Sequence, residues 1–213
     1  MNAQLLPRLA LHVLTDRELA RGRDTLTVAA AALDGGATVI QLRDKTASTR
    51  QLIEQGLALR ILTRERGALL IVNDRIDVAL AIDADGAHVG QEDMPGDSAR
   101  SLLGPKRILG ISAGNMAEAS AAVALGADYL GVGPIYATST KADAGIPVGL
   151  NLLSDLASRY TIPLVAIGGI NAENAREVIQ AGAHGIAVIS AVVHAKDITS
   201  ATRELAEMLP RSF

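Results

Sequence analysis

The sequence has no cysteine and no tryptophan, and its aromatic residues are three tyrosines and one phenylalanine in 213 positions. Without cysteine, disulfides, thiolate catalysis and cysteine-ligated metals are excluded. With so few rings the core must be built from Ala, Val, Ile and Leu, and the base-stacking platforms of single-strand nucleic-acid binders are missing. An excess of either charge is also lacking. Twenty Lys and Arg stand against 23 Asp and Glu, a net charge of −3. That offers no basic face to a general nucleic-acid partner. No apolar run reaches the roughly 18 residues that a membrane helix needs. The opening MNAQLLPRLALHVLTD has no basic region followed by an apolar run and a small-residue cleavage site. No signal peptide is therefore expected, and the cytoplasm is the default location.

What is present is aliphatic and periodic. Hydrophobic residues make up 49% of the chain, enough for a sizeable core. Strand-length apolar runs recur eight times: LALHVLT (9–15), ATVIQLR (37–43), ALLIVND (68–74), GAHVG (86–90), RILGIS (107–112), DYLGVG (128–133), PLVAIGG (163–169) and HGIAVIS (184–190). Most are separated by Ala/Leu-rich stretches with helical spacing, several ending in a Gly-Ala pair that suits a helix C-terminus. Between runs three and five, RIDVALAIDAD and DSARSLLG allow only short helices. Strands alternating with helices imply parallel pairing through right-handed crossovers. Near-continuous apolar strands fit a sheet buried on both faces. Eight such units predict a (β/α)8 TIM barrel, one domain over residues 1–213. The alternative, an open doubly wound sheet, would carry a Gly-rich fingerprint after the first strand; LTDRELARGRD has none.

A barrel builds its active site at the C-terminal ends of its strands. Polar residues gather there, while the opposite loops are mostly Gly and Ala. Arg43 and Lys45 follow the second strand, and Lys141 lies in the long polar loop GVGPIYATSTKADAG after the sixth. Any one of them alone would be solvated surface charge. Three cations converging on one mouth call for an anion. Asp74 and Asp93 end successive units. Asp74 could cap the helix that follows and Asp93 could shape the turn before Pro95. With a polyphosphate nearby, the two carboxylates suit Mg²⁺, which takes one or two carboxylates plus substrate phosphates. His88 is expected to be a packed core or rim residue. Gly168-Gly169 before Asn171, with Ile189-Ser190 at the next strand end, form a second anion site of backbone amides. The expectation is a diphosphate with Mg²⁺ near strands two to six and a monophosphate near strands seven and eight.

QLRDK, VND, GQED, GIS, GPIYATSTKAD, AIGGI and AVIS, in this order, resemble the thiamine-phosphate synthase family over nearly the whole chain. The resemblance implies that 4-amino-2-methyl-5-hydroxymethylpyrimidine diphosphate loses pyrophosphate. The nitrogen of 4-methyl-5-(2-phosphoethyl)thiazole then captures the pyrimidine carbocation to give thiamine monophosphate. It implies that Gln41, Arg43, Lys45, Asn73, Ser112 and Lys141 hold the pyrimidine diphosphate. Of these, Lys141, Arg43 and Lys45 stabilise the departing charge. Asp74 and Asp93 would hold Mg²⁺, and Thr138, Ser139, Thr140, Gly169, Ile189 and Ser190 the thiazole phosphate. The partners would be these two phosphorylated small molecules, with no nucleic acid and no membrane, for a monomer or homodimer. The sequence departs from the family at Gly114, often histidine, and at Ala137, often proline. Sister thiazole tautomerases largely lack the loop bearing Lys141 and use a histidine near position 114. Gly114 with Lys141 therefore favours the synthase. A non-catalytic phosphate-sensing barrel would not need both Asp74 and Asp93 beside three cations.

Overall fold

The computed structural model describes residues 5–138, 140 and 145–210. All eight expected strands are present: β1 Leu11–Leu14, β2 Val39–Leu42, β3 Leu69–Asn73, β4 Gly86–Val89, β5 Ile108–Ala113, β6 Tyr129–Val132, β7 Leu164–Ile167 and β8 Gly185–Val188. They pair in parallel in chain order, and β1 also pairs with β8, so the sheet closes into a barrel. An open sheet is thereby excluded. The helices α1 Thr25–Asp34, α2 Thr49–Glu65, α3 Ile76–Ala81, α4 Gly96–Leu103, α5 Met116–Ala124, α6 Gly149–Arg159, α7 Ala175–Gln180, α8 Ser190–Val193 and α9 Ile198–Ala206 follow the strands. As expected, α3 and α4 are short.

Several helix starts are set by local chemistry. Asp24 accepts from the Thr27 amide at 2.9 Å. Ser48 and Gln51 form a reciprocal capping box, and Asn115 and Asp197 cap α5 and α9. Such side chains satisfy amides that have no partner inside the helix. No described helix is long and apolar enough to cross a membrane.

The strands are mostly shorter than the apolar runs that contain them, and at two ends another element takes the remainder. Leu9 belongs to a 3-10 turn, Leu6–Leu9, that leads into β1. The eighth strand stops at Val188, and Ser190 opens the four-residue helix α8.

The floor of the barrel, at the strands' N-terminal ends, carries a repeated brace. The residue before each even-numbered strand accepts a hydrogen bond from the preceding odd strand. The Leu11 amide donates to Thr38 Oγ1 (3.0 Å), Leu70 to Asp85 Oδ2 (2.8 Å), Leu109 to Asp128 Oδ2 (2.8 Å) and Leu164 to His184 Nδ1 (3.1 Å). In return the amides of Thr38, Asp85, Asp128 and His184 donate to the carbonyls of the same four leucines. Arg60 and Arg100 pair with Asp85 and Asp128. With the floor held this way, the opposite mouth is left for chemistry.

Candidate active site

The mouth opens into a cavity of about 360 Å³. Its wall includes eleven of the residues assigned from sequence: Arg43, Lys45, Asn73, Asp74, Asp93, Ser112, Thr138, Thr140, Gly169, Ile189 and Ser190. Gln41 does not line it; the residue is buried within β2. Ser139 and Lys141 lie outside the described residues.

Arg43 follows directly on β2 and is almost fully buried. Its Nη1 pairs with Asp16 Oδ2 at 2.6 Å, and its Nε has no partner. Its backbone amide donates to Thr15 Oγ1 (2.8 Å), and Thr15 Oγ1 donates to the Arg43 carbonyl (2.9 Å). Thr15 and Asp16 are the polar end of β1. Both follow an apolar run, the same signal that marks Arg43 and Asp74.

Asp74 sits at φ +63°, a left-handed conformation that aspartate tolerates better than most residues. It does not cap α3, whose start has no side-chain cap. Its Oδ2 instead accepts from Lys45 Nζ at 2.6 Å. Burial, and then the neighbouring Asp93 carboxylate, push the Asp74 carboxyl above its ordinary range, while Lys45 pulls it down. Two carboxylates held this close in a partly buried site favour a cation between them. Asp93 also shapes its turn: the Gly90 amide donates to its Oδ2 at 2.8 Å. Hard oxygen donors suit Mg²⁺. Among the described residues no cluster of three or more His, Cys, Asp or Glu forms, so further ligands would have to come from substrate or water.

The described residues expected to hold a second anion line the same cavity. Thr140 Oγ1 donates to Ser190 Oγ at 3.2 Å and so joins the β6 loop to the start of α8. Gly169 has φ +67°, and a Cβ there would lie 2.7 Å from Tyr136 Cβ and 2.9 Å from the Ala137 carbonyl oxygen. Only glycine fits this turn.

His88 and Ser112 meet inside the wall, with His88 Nε2 2.9 Å from Ser112 Oγ. Histidine packing was expected; a contact with an assigned ligand residue was not. Gly114 lines the cavity too, and its amide donates to Glu118 Oε2 at 2.7 Å.

Cations, paired carboxylates and a glycine turn at the C-terminal mouth of a parallel barrel define an α/β-barrel enzyme that handles phosphorylated small molecules. Comparison with known proteins then narrows the class. The family model for thiamine monophosphate synthase matches residues 11–192. A thiamine-phosphate synthase of Chloroflexus aurantiacus is 60% identical over 195 residues, which cover 92% of this chain and 90% of that protein. One from Moorella thermoacetica is 53% identical, covering 97% and 99%. The solved structure of thiamine phosphate pyrophosphorylase from Pyrococcus furiosus superposes with a TM-score of 0.89 at 48% identity, covering 96% of each chain. A 3-hexulose-6-phosphate synthase, at 18% identity and TM-score 0.64, shares the fold alone. The chain belongs to the thiamine monophosphate synthase family. It is a transferase that forms thiamine monophosphate from phosphorylated small molecules.

Proposed function

We propose that the reaction runs dissociatively: the pyrimidine diphosphate ionises to a pyrimidinylmethyl cation and pyrophosphate, and the thiazole nitrogen then captures the cation. The observation that carries this reading is the Asp74–Asp93 carboxylate pair in one cavity with Arg43 and Lys45. Ionisation concentrates negative charge on the leaving group, so preorganised positive charge lowers the barrier. Arg43, already fixed by Asp16, and Lys45 do this with side chains of this chain; Lys141 joins them from the loop. Asn73 and Ser112, with Gln41 from β2, orient the diphosphate. Asp74 and Asp93 would hold Mg²⁺, which when bound supplies further charge neutralisation to the departing pyrophosphate.

No side chain has to act as nucleophile, because the thiazole does. Thr138, Ser139 and Thr140, with Gly169, Ile189 and Ser190, hold its phosphate and set the nitrogen's approach. Covering the cavity excludes water, which would otherwise capture the cation. With the family reading we propose a cytoplasmic monomer or homodimer whose partners are the two phosphorylated small molecules.

The test is pyrophosphate release on mixing both substrates with and without Mg²⁺. Release that needs both Mg²⁺ and the pyrimidine diphosphate is expected. Full turnover in chelator would remove Asp74 and Asp93 from the metal role. Release from the pyrimidine diphosphate only by direct displacement, with no trapping of a pyrimidine cation by added nucleophiles, would overturn the dissociative route.

A further inference from the structure

Tyr129 is one of four aromatic residues in the chain, and it is fully buried inside the barrel. Two glycines make its place. A Cβ on Gly110 would lie 2.2 Å from Tyr129 Cζ and 2.4 Å from His88 Nδ1, and one on Gly131 would lie 2.6 Å from His88 Cε1. The barrel is thus hollowed on two strands to seat this ring pair. Tyr129 Oη lies 3.0 Å from His88 Nδ1, and His88 Nε2 lies 2.9 Å from Ser112 Oγ. Three groups therefore form a chain that starts deep in the core and ends at the cavity wall.

The direction of this chain follows from its buried end. Burial keeps the Tyr129 phenol protonated well beyond the usual range. A buried hydroxyl needs an acceptor. His12 lies nearby, with ring centroids 5.4 Å apart, but its Nε2 makes no hydrogen bond. The acceptor is His88 Nδ1. With Nδ1 accepting, the imidazole proton sits on Nε2 and is donated to Ser112 Oγ. Ser112 then has its own hydroxyl proton left to donate into the cavity.

We propose that Tyr129 is a positioning residue for the transfer reaction: it fixes the tautomer of His88 and thereby commits Ser112 to act as a hydrogen-bond donor toward the departing diphosphate. This rests on the assignment of Ser112 to the diphosphate. A donor aimed at charge that develops in the transition state acts on kcat more than on binding.

The tautomer can be read directly by ¹⁵N NMR of histidine-labelled protein, with the His88 signals assigned by difference against His88→Asn. Nδ1 unprotonated and Nε2 protonated is expected in the unsubstituted protein, and the reverse overturns the proposal. Tyr129→Phe should mix the tautomers and lower kcat roughly tenfold, with little change in KM for the pyrimidine diphosphate. Ser112→Ala should cost roughly 100-fold in kcat, and adding Tyr129→Phe to it should cost nothing more. A full additional tenfold loss in the double variant would show that Tyr129 acts by some other route. If the tautomer is as expected but Ser112→Ala turns over normally, the assignment of Ser112 fails, and the role of Tyr129 in turnover fails with it.

Discussion

Asp93 does two things with one carboxylate: it accepts the Gly90 amide and it faces Asp74. The two can be separated by substitution. Asp93→Asn keeps an oxygen for the amide and removes the charge. It is expected to leave the fold intact and to lower kcat/KM by about 100-fold, or about 3 kcal/mol of barrier, as for other preorganised electrostatic contacts. Normal turnover at limiting Mg²⁺ would count against the carboxylate pair as the metal site. Asp16 is a different case. Its partner Arg43 is only 8% exposed. Removing the negative charge leaves a buried guanidinium uncompensated, so Asp16→Asn should cost about 3 kcal/mol of stability in urea denaturation. A loss within error would mean that water reaches Arg43 and replaces the pair. At this scale the lining of the cavity was legible wherever a charged or hydroxyl residue ended an apolar run, as at Arg43, Lys45, Asp74 and Ser112. The Tyr129–His88 chain was not, because its members lie on different strands and only the register of β4, β5 and β6 brings them together.

Among the elements, the glycine turn after β7 and the short helix α8 frame one side of the mouth. The turn is packed against the β6 loop, so a methyl group on Gly169 must push Tyr136 and Ala137 aside at a positive φ. Gly169→Ala is expected to raise KM for the thiazole phosphate about tenfold, roughly 1.4 kcal/mol, and to change KM for the pyrimidine diphosphate little. Steady-state kinetics with each substrate varied would show this, and equal effects on both would argue for a single shared anion site. The strands were legible because burial on both faces makes them uniform apolar runs. Helix α8 was not. AVISAVV is rich in β-branched residues and continues the strand pattern, and four residues are too few to display helical periodicity. Its position is secured from elsewhere: Arg23 on the β1–α1 loop donates to the carbonyls of Val193 and Ala195 at its C-terminal end.

The molecule as a whole carries an acid-sensitive core. His12, fully buried in β1, is held neutral, with burial pushing its pKa down to about 3. Above pH 6.5 neither the folded nor the unfolded chain is protonated there, and the group costs nothing. As the pH falls below 6.5 the unfolded chain takes up a proton that the folded one refuses. Stability should then fall by up to about 1.4 kcal/mol per pH unit down to the folded pKa. Urea midpoints at pH 7 and pH 5 should show the loss, and His12→Leu should flatten the dependence. An equally steep dependence in that variant would assign it to other groups.

The braces on the barrel floor divide the ring. All four join an odd strand to the even strand after it. The residues before the odd strands, Ala10, Ala68, Arg107 and Pro163, offer no side-chain acceptor. At its base the ring is therefore four two-stranded staves, each tied by its own amide-to-side-chain brace. The β8–β1 pairing is one of the seams without such a brace. Placing the chain ends at another such seam, Arg66–Gly67 between α2 and β3, leaves every amide-to-side-chain brace within a continuous stretch of chain and puts the Arg60–Asp85 ion pair across the cut. A cut between α3 and β4 instead removes the covalent link inside the stave joined by Asp85. The first permutant should refold to near-parental stability and the second should not, so this enzyme can be re-ended by quarters but not by eighths.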